Sequence, residues 1–320
     1  MELKKRILVT GGAGLIGSHL CRRLTDYGHE VYCMDIRSRE SSPLLSQISA
    51  QPNFNYIRHN VVNPFGINVD EIYHLVSPST LRYESGSDVE TLKTNILGTI
   101  NCLENAKIHR SRILLASSGD VYGSSRQQSL REEAPYGPAL SSVTEAKRAA
   151  ESLMRAYKAE YQVDGKIARI FNTYGSGADT CDRRVVAKMT VEALTGRNIT
   201  IYGSGEQMRC FCWVEDIVEA LIRLMNLLPD SQIPTVNLGS NHEISIRALA
   251  DRIVALTGSK SKIIHLEARN DDPRHKTPDL TRARRMLEWQ PSTSLDEGLR
   301  MAAGYFEKEL FKEHSWVDVH

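Results

Sequence analysis

The chain has 320 residues, long enough for one large domain or two joined ones around a sizeable buried core. With 41% hydrophobic residues, 25% charged residues and a net charge of +1, it has ordinary globular composition and no bulk field to draw it to nucleic acid or an anionic membrane. The opening Met1-Glu2-Leu3-Lys4-Lys5-Arg6 lacks the apolar run of a signal peptide, and no stretch is long and apolar enough to span a bilayer.

In chain order, residues 7–10 read as a buried strand and 15–27 as a helix. Residues 30–36, 55–58, 71–76 and 112–117 read as further strands. Helical period runs through 88–107 and 144–161, with Leu92, Ile96, Ile100 and Leu103 on one face of the first. Strands alternating with helices imply βαβ units with right-handed crossovers. The expected fold is α/β: a Rossmann-type doubly wound parallel sheet with a smaller mixed α/β substrate-binding lobe. After Phe171 loops lengthen, at 172–182 and 267–279, and helices dominate. The expected division is 1–171 for the Rossmann domain, 172–312 for the lobe, partly interleaved with the first, and 313–320 for a frayed tail.

The six cysteines (Cys21, Cys33, Cys102, Cys181, Cys210 and Cys212) are scattered, so a disulfide framework is not expected and a reducing cytoplasm fits. Cys210-Phe211-Cys212 has no second ligand pair at zinc spacing, and no His or carboxylate cluster suggests a metal. His19, His29, His59 and His109 read as helix-face, turn or surface residues rather than ligands. Arg282, Arg284 and Arg285 read as a solvated helix face, and Trp213 and Trp289 as packing residues.

Gly11-Gly12-Ala13-Gly14-Leu15-Ile16-Gly17 follows the first strand and opens the first helix. Such a turn offers free backbone N–H groups and the positive end of a helix dipole to a pyrophosphate. Asp35 ends the second strand, where a carboxylate can accept from ribose hydroxyls and would repel a 2′-phosphate. NAD is therefore expected over NADP, with Arg37 and Arg39 just beyond. Ser117 and Ser118 end a strand at the carboxyl edge of the sheet, where ligands of α/β folds bind.

The spacing Gly11-x-x-Gly14-x-x-Gly17 resembles the extended short-chain dehydrogenase/reductases, and within them the UDP-glucuronate decarboxylases (UDP-xylose synthases). Matching stretches are 56–65, 72–78, 91–95 with Gly98, 168–175, 184–186, 201–205, and 271–273 with Pro278 and Asp279. The resemblance implies that Gly11, Gly14, Leu15, Ile16 and Gly17 approach the pyrophosphate and that Asp35 holds the adenosine ribose. It puts Asn60, where the family usually has Asp, and Val61 beside adenine. His74 to Ser77, Leu75 and Ser77 among them, would line the cofactor. Asn95 would support the central helix, and Lys147 would bind the nicotinamide ribose. It implies that Asn172, Arg184, Val185, Tyr202, Gln207 and Arg209 hold the uridine diphosphate end of a sugar nucleotide. Tyr83, Ser118 and Lys276 would complete the substrate set. A homodimer through 88–107 and 144–161 is the family's habit.

The implied chemistry oxidises the C4 hydroxyl of a glucuronate, so that the C6 carboxylate becomes a β-keto acid and leaves as CO2; the ketone is then reduced again. That needs a base for the hydroxyl, donors for the C4 oxyanion and cations for the anionic groups. In the family the base is a Tyr four residues before the Lys, on the same helix face. Here that position is Val143, which carries no proton. Two further departures are Ser118-Gly119-Asp120 in place of Thr-Ser-Glu, and Lys276 where an Arg is usual, a point charge for a planar fork. The resemblance leaves Ser118, Asp120 and Lys147 as the catalytic candidates. Four explanations of Val143 stay open: rescue by Tyr136, Tyr174, Tyr83 or Lys147 itself; a different step; binding with little or no turnover; or an introduced substitution or local misalignment. The rival readings are a nucleotide-sugar 4-epimerase or dehydratase, and a protein that binds NAD and a sugar nucleotide without chemistry.

Overall fold

A computed structural model describes residues 3–78, 88–125, 127, 129–267 and 277–314. The first half follows the predicted alternation: β1 (Arg6–Thr10), α1 (Leu15–Asp26), β2 (Glu30–Asp35), α2 (Pro43–Ile48), β3 (Phe54–Arg58), β4 (Glu71–His74), α3 (Asp88–His109) and β5 (Arg112–Ser118). Next come β6 (Ser129–Leu130), α4 (Ser142–Tyr161), β7 (Gly165–Ile170), β8 (Thr173–Tyr174), α5 (Val185–Leu194), β9 (Ile199–Tyr202), β10 (Met208–Cys210), β11 (Cys212–Trp213) and α6 (Val214–Met225). The chain closes with β12 (Thr235–Leu238), β13 (Glu243–Ser245), α7 (Ile246–Thr257), β14 (Ile263–Leu266), β15 (Thr277–Pro278), α8 (Thr281–Leu287) and α9 (Leu295–His314).

Seven strands pair in the order β12-β7-β5-β4-β1-β2-β3, and every pairing among them is parallel. Helices cover such a sheet on both faces, which is why β1, β5 and β7 are nearly continuous buried runs. The order reverses between β1 and β4, so a crevice opens at their carboxyl ends. Ile36 and Val76 lie past the last residues of β2 and β4, where the sheet ends and the crevice begins.

The expected apolar stripe of α3 is only partly the buried one. Leu103 is buried, but Leu92, Ile96 and Ile100 are half-buried, and the core side is Thr91, Asn95, Gly98, Thr99 and Cys102. The cause is close approach: a Cβ on Gly98 would stand 2.7 Å from Val61 Cγ1. Polar side chains on that side serve backbone, as Asn105 does in bonding both the N–H and the carbonyl of Ile67 at 2.8 and 3.0 Å.

The second half of the chain contributes to the main sheet. β12 extends the main sheet beyond β7, and one core joins Ile7, Leu24 and Tyr73 to Ile217, Leu221, Val236 and Trp289. A second core, around Met189, Ile201, Trp213, Leu249 and Phe306, belongs to α5, α7 and α9. Arg282 departs from the solvated-face expectation: it is half-buried, donates to the Thr235 carbonyl at 3.0 Å and pairs with Glu133. His19 and His29 are buried, not surface residues, at 1% and 5% exposure. Among the described residues no helix is long and apolar enough to cross a membrane.

Candidate active site

After Thr10 the chain turns at Gly11, whose φ of 71° is one that side chains resist. The N–H groups of Gly11 and Gly12 both reach the Met34 carbonyl, at 2.8 and 3.4 Å, which ties the turn to the end of β2. Gly17 packs beneath it: a Cβ there would lie 2.3 Å from the Gly11 oxygen. Gly14 precedes α1 with no side-chain capping bond, and the first turn carries no acid. The helix N-terminus is thus left for an anion. Asp35 stands across the mouth of the turn. Its Oδ2 accepts from the Ala13 N–H at 3.0 Å and its Oδ1 from the Arg37 N–H at 3.1 Å, with the Arg37 guanidinium 3.7 Å away.

These groups face a cleft of about 820 Å³. Of the expected cofactor residues, Gly11, Gly14, Leu15, Ile16, Gly17, Asp35, Asn60, Val61, Leu75 and Ser77 line it together. Asn60 Oδ1 accepts from the Val62 N–H at 3.1 Å, holding the loop after β3. Asn95, Lys147 and His74 are not in the lining. Asn95 donates to the Thr91 carbonyl of its own helix at 2.9 Å. His74 is turned inward between the hydroxyls of Thr10 (2.8 Å) and Thr99 (3.2 Å). Burial, with the Lys147 charge adding to it, pulls its pKa down to about 3, so it is a neutral imidazole.

The opposite wall was largely missed from sequence. It consists of Gly177, Ala178, Asp179, Thr180, Asp182 and Arg184 from the loop before α5, with Tyr305 and Glu309 from α9. Arg184 Nε reaches both oxygens of Asp182, at 3.1 and 2.9 Å. Arg184 therefore faces the same cleft as the glycine turn. Loop length at 172–182 was the one available signal; the four-residue spacing of Tyr305 and Glu309 gives a shared face but not its destination.

At the end of β5, Ser118 Oγ donates to Asp120 Oδ2 and accepts from the Asp120 N–H, both at 3.0 Å. Lys147 is buried on α4 and donates to the Ala116 carbonyl at 2.8 Å. Burial brings its pKa down to about 8, against the pull of the Glu151 and Asp120 carboxylates. Val143 lies one turn earlier, half-buried. One turn later Glu151 meets Arg169 through two bonds of 2.9 and 2.8 Å and accepts from Ser117 at 2.7 Å. Tyr136 is held in that network: its hydroxyl donates to Glu151 at 3.1 Å and accepts from Arg169 at 2.7 Å. Tyr174 is buried elsewhere, against Phe211 and Trp213, with its hydroxyl 3.3 Å from the Leu295 carbonyl. It is no substitute base. Tyr83 and Lys276 lie outside the described residues.

Asn172, Val185, Tyr202, Gln207 and Arg209 are not among the residues that line the glycine-turn cleft. Asn172 donates to the Cys210 carbonyl at 3.2 Å, Gln207 to the Tyr202 carbonyl at 3.1 Å, and Arg209 to the Met208 carbonyl at 2.7 Å. The Tyr202 ring lies 5.5 Å from the Lys188 ammonium, and Val185 is the first residue of α5.

A parallel sheet with a glycine turn, an acid at the end of β2 and a serine-ended β5 defines the nucleotide-binding dehydrogenase class. Residues 7–239 match the NAD dependent epimerase/dehydratase family, and the chain belongs to that family. It is 42% identical over 312 residues to UDP-glucuronic acid decarboxylase 1 of Xenopus tropicalis, covering 96% of this chain and 73% of that one. It is 39% identical over 311 residues to UDP-glucuronic acid decarboxylase 6 of Arabidopsis thaliana, covering 95% and 90%. Among solved structures, MoeE5 in complex with UDP-glucuronic acid and NAD is 28% identical with a TM-score of 0.83, covering 95% of this chain and 99% of that one. A UDP-glucuronic acid 4-epimerase from Bacillus cereus shares the fold with a TM-score of 0.87 at 23% identity, over 95% and 99%.

Proposed function

We propose that this protein binds NAD in the glycine-turn cleft and modifies a UDP-linked sugar, with UDP-glucuronate decarboxylation as its nearest chemistry. The observation that carries the reading is the Asp35 carboxylate at the mouth of an uncapped helix N-terminus, inside a cleft of about 820 Å³. The residues fit the dinucleotide: Gly11 and Gly14 line the cleft beside an uncapped helix N-terminus, and the acid stands where a ribose needs an acceptor. When bound, NAD supplies reversible oxidation of a sugar hydroxyl.

The chain's own residues would divide the remaining work. The Ser118 hydroxyl, fixed by Asp120, binds and orients a sugar oxygen. Lys147 holds a positive charge beneath the same strand end, and Glu151 with Arg169 keeps that strand end rigid. Arg184, pre-oriented by Asp182, is suited to a phosphate.

The missing phenol at position 143 favours a second reading, a protein that binds both nucleotides and turns over slowly or not at all. Losing a general base costs on the order of 10²–10⁴ in rate. Incubation with NAD and UDP-glucuronate separates the outcomes. Release of CO2 with UDP-xylose or a 4-keto product supports decarboxylation. UDP-galacturonate without CO2 supports epimerisation. Binding of both ligands without product supports the second reading, and failure to bind NAD sinks both. The half-buried Leu92, Ile96 and Ile100 of α3, beside the exposed Val89 and Leu97, suit a helix-paired homodimer, which sedimentation would test.

A further inference from the structure

His19 lies on α1, two residues past Gly17, and is 1% exposed. Its Nδ1 is 2.5 Å from Glu215 Oε1 in the first turn of α6, and its Nε2 is 2.8 Å from the Ser176 carbonyl oxygen. Both partners are acceptors. A peptide carbonyl has no proton to give. The Glu215 carboxyl, despite its burial, is held down at about 2 by His19, Arg22 and Arg23, so it is ionised at neutral pH. Each ring nitrogen must therefore donate, which only the doubly protonated imidazolium can do.

Ser176 immediately precedes Gly177, which lines the cleft opposite the glycine turn. A Cβ on Gly177 would stand 3.3 Å from His19 Nε2. One ring thus joins three elements: the helix under the phosphate turn, α6, and the loop that makes the far wall. We infer that protonated His19 is a positioning residue that holds the Ser176–Gly177 backbone against α1 and so sets the width of the dinucleotide cleft. This rests on the cofactor reading above.

The charged groups that converge on the pair are few. Arg22 and Arg23 of α1 bind Glu215; Glu219 of α6 takes the other arm of Arg23 at 3.4 Å. α2 contributes the apolar Leu44 beside Gly177. The form that makes both bonds is the one with a proton on each ring nitrogen, so it is the form that holds the loop against α1. His59, an imidazole in the cleft lining, bonds the Asn63 carbonyl at 3.1 Å and is left intact by changes at His19.

The test is equilibrium binding of NAD to the full chain by calorimetry, with thermal melting alongside. His19→Gln, whose amide cannot donate in both directions, should bind about fivefold to tenfold more weakly than the wild type. Glu215→Gln, which leaves the ring without its anion, should weaken binding in the same direction. If His19→Gln fails to fold, Glu215→Gln still decides. A merely structural role would lower the melting temperature and leave the Kd of the folded protein unchanged. Binding by the folded variants within about twofold of the wild type overturns this inference alone. Absence of NAD binding by the wild type overturns the cofactor reading and the inference with it.

Discussion

Gly17→Ala places one methyl group where the structure has no room. The new Cβ would lie 2.3 Å from the Gly11 oxygen, 2.7 Å from Gly12 Cα and 3.0 Å from the Gly11 carbonyl carbon. All three are backbone atoms, so nothing can rotate away, and the turn must retreat by about 1 Å to reach ordinary contact. Two effects oppose each other. Alanine inside a helix gains up to ~1 kcal/mol over glycine, while overpacking costs ~1–3 kcal/mol. With only backbone to yield, the cost sits near the top of its range and the net loss is about 1–2 kcal/mol. For a chain of this size that is a fall in Tm of about 2–5 °C. The retreat moves the N–H groups that would meet the phosphates, so NAD affinity should drop about tenfold, or ~1.4 kcal/mol. Gly14→Ala is the control, because its Cβ meets only the Gly11 oxygen, at 3.1 Å. Scanning fluorimetry with and without NAD, and calorimetry, read both effects. If Gly17→Ala melts within about 1 °C of the wild type and binds NAD within about twofold, the packing argument is wrong.

Val143→Tyr restores a phenol one helical turn before Lys147, and turnover of UDP-glucuronate should rise by about 10²–10⁴, measured as CO2 release; no gain means the pocket has been rebuilt for another purpose. Glu151→Gln leaves Arg169, one of the largest fully buried side chains, without its anion, and should destabilise by ~3–5 kcal/mol in denaturant melts. A loss below ~1 kcal/mol would show that the Tyr122 and Tyr136 hydroxyls and the Glu132 carbonyl satisfy the guanidinium without it. Glu215 titrates near 2 in the fold against 4.5 ordinarily, so its contribution is whole above about pH 4.5 and drains away as the pH falls toward 2. Glu215→Gln should therefore flatten the acid limb of a stability profile, and an unchanged limb would contradict the assignment.

The Rossmann half was legible because its signals are local. Apolar runs bounded by turns gave β1, β2, β4 and β5 to within a few residues, the glycine turn with Asp35 gave six of the cleft-lining residues, and the family resemblance gave Asn60, Val61, Leu75 and Ser77. What failed to show is tertiary. Leu92, Ile96 and Ile100 have helical period, but the close approach of Gly98 to Val61 turned Thr91, Asn95 and Cys102 inward instead. His74 falls within a stretch expected to line the cofactor, yet its ring is bonded between the buried hydroxyls of Thr10 and Thr99, while Leu75, Val76 and Ser77 past the strand end line the cleft. His19 looked like a helix-face residue because its partners, Ser176 and Glu215, are distant in sequence. Arg184 was read as a sugar-nucleotide ligand, and nothing in the sequence signalled that it lines the same cleft as the glycine turn.

The two sides of the cleft are written far apart: the glycine turn early, Tyr305 and Glu309 on α9 almost last. During synthesis the phosphate turn can form long before its opposite bank exists, since domains fold as the chain emerges. A product cut short before Tyr305 lacks two of the residues that line the cleft, and so forgoes part of the stabilisation that mass action gives the finished protein.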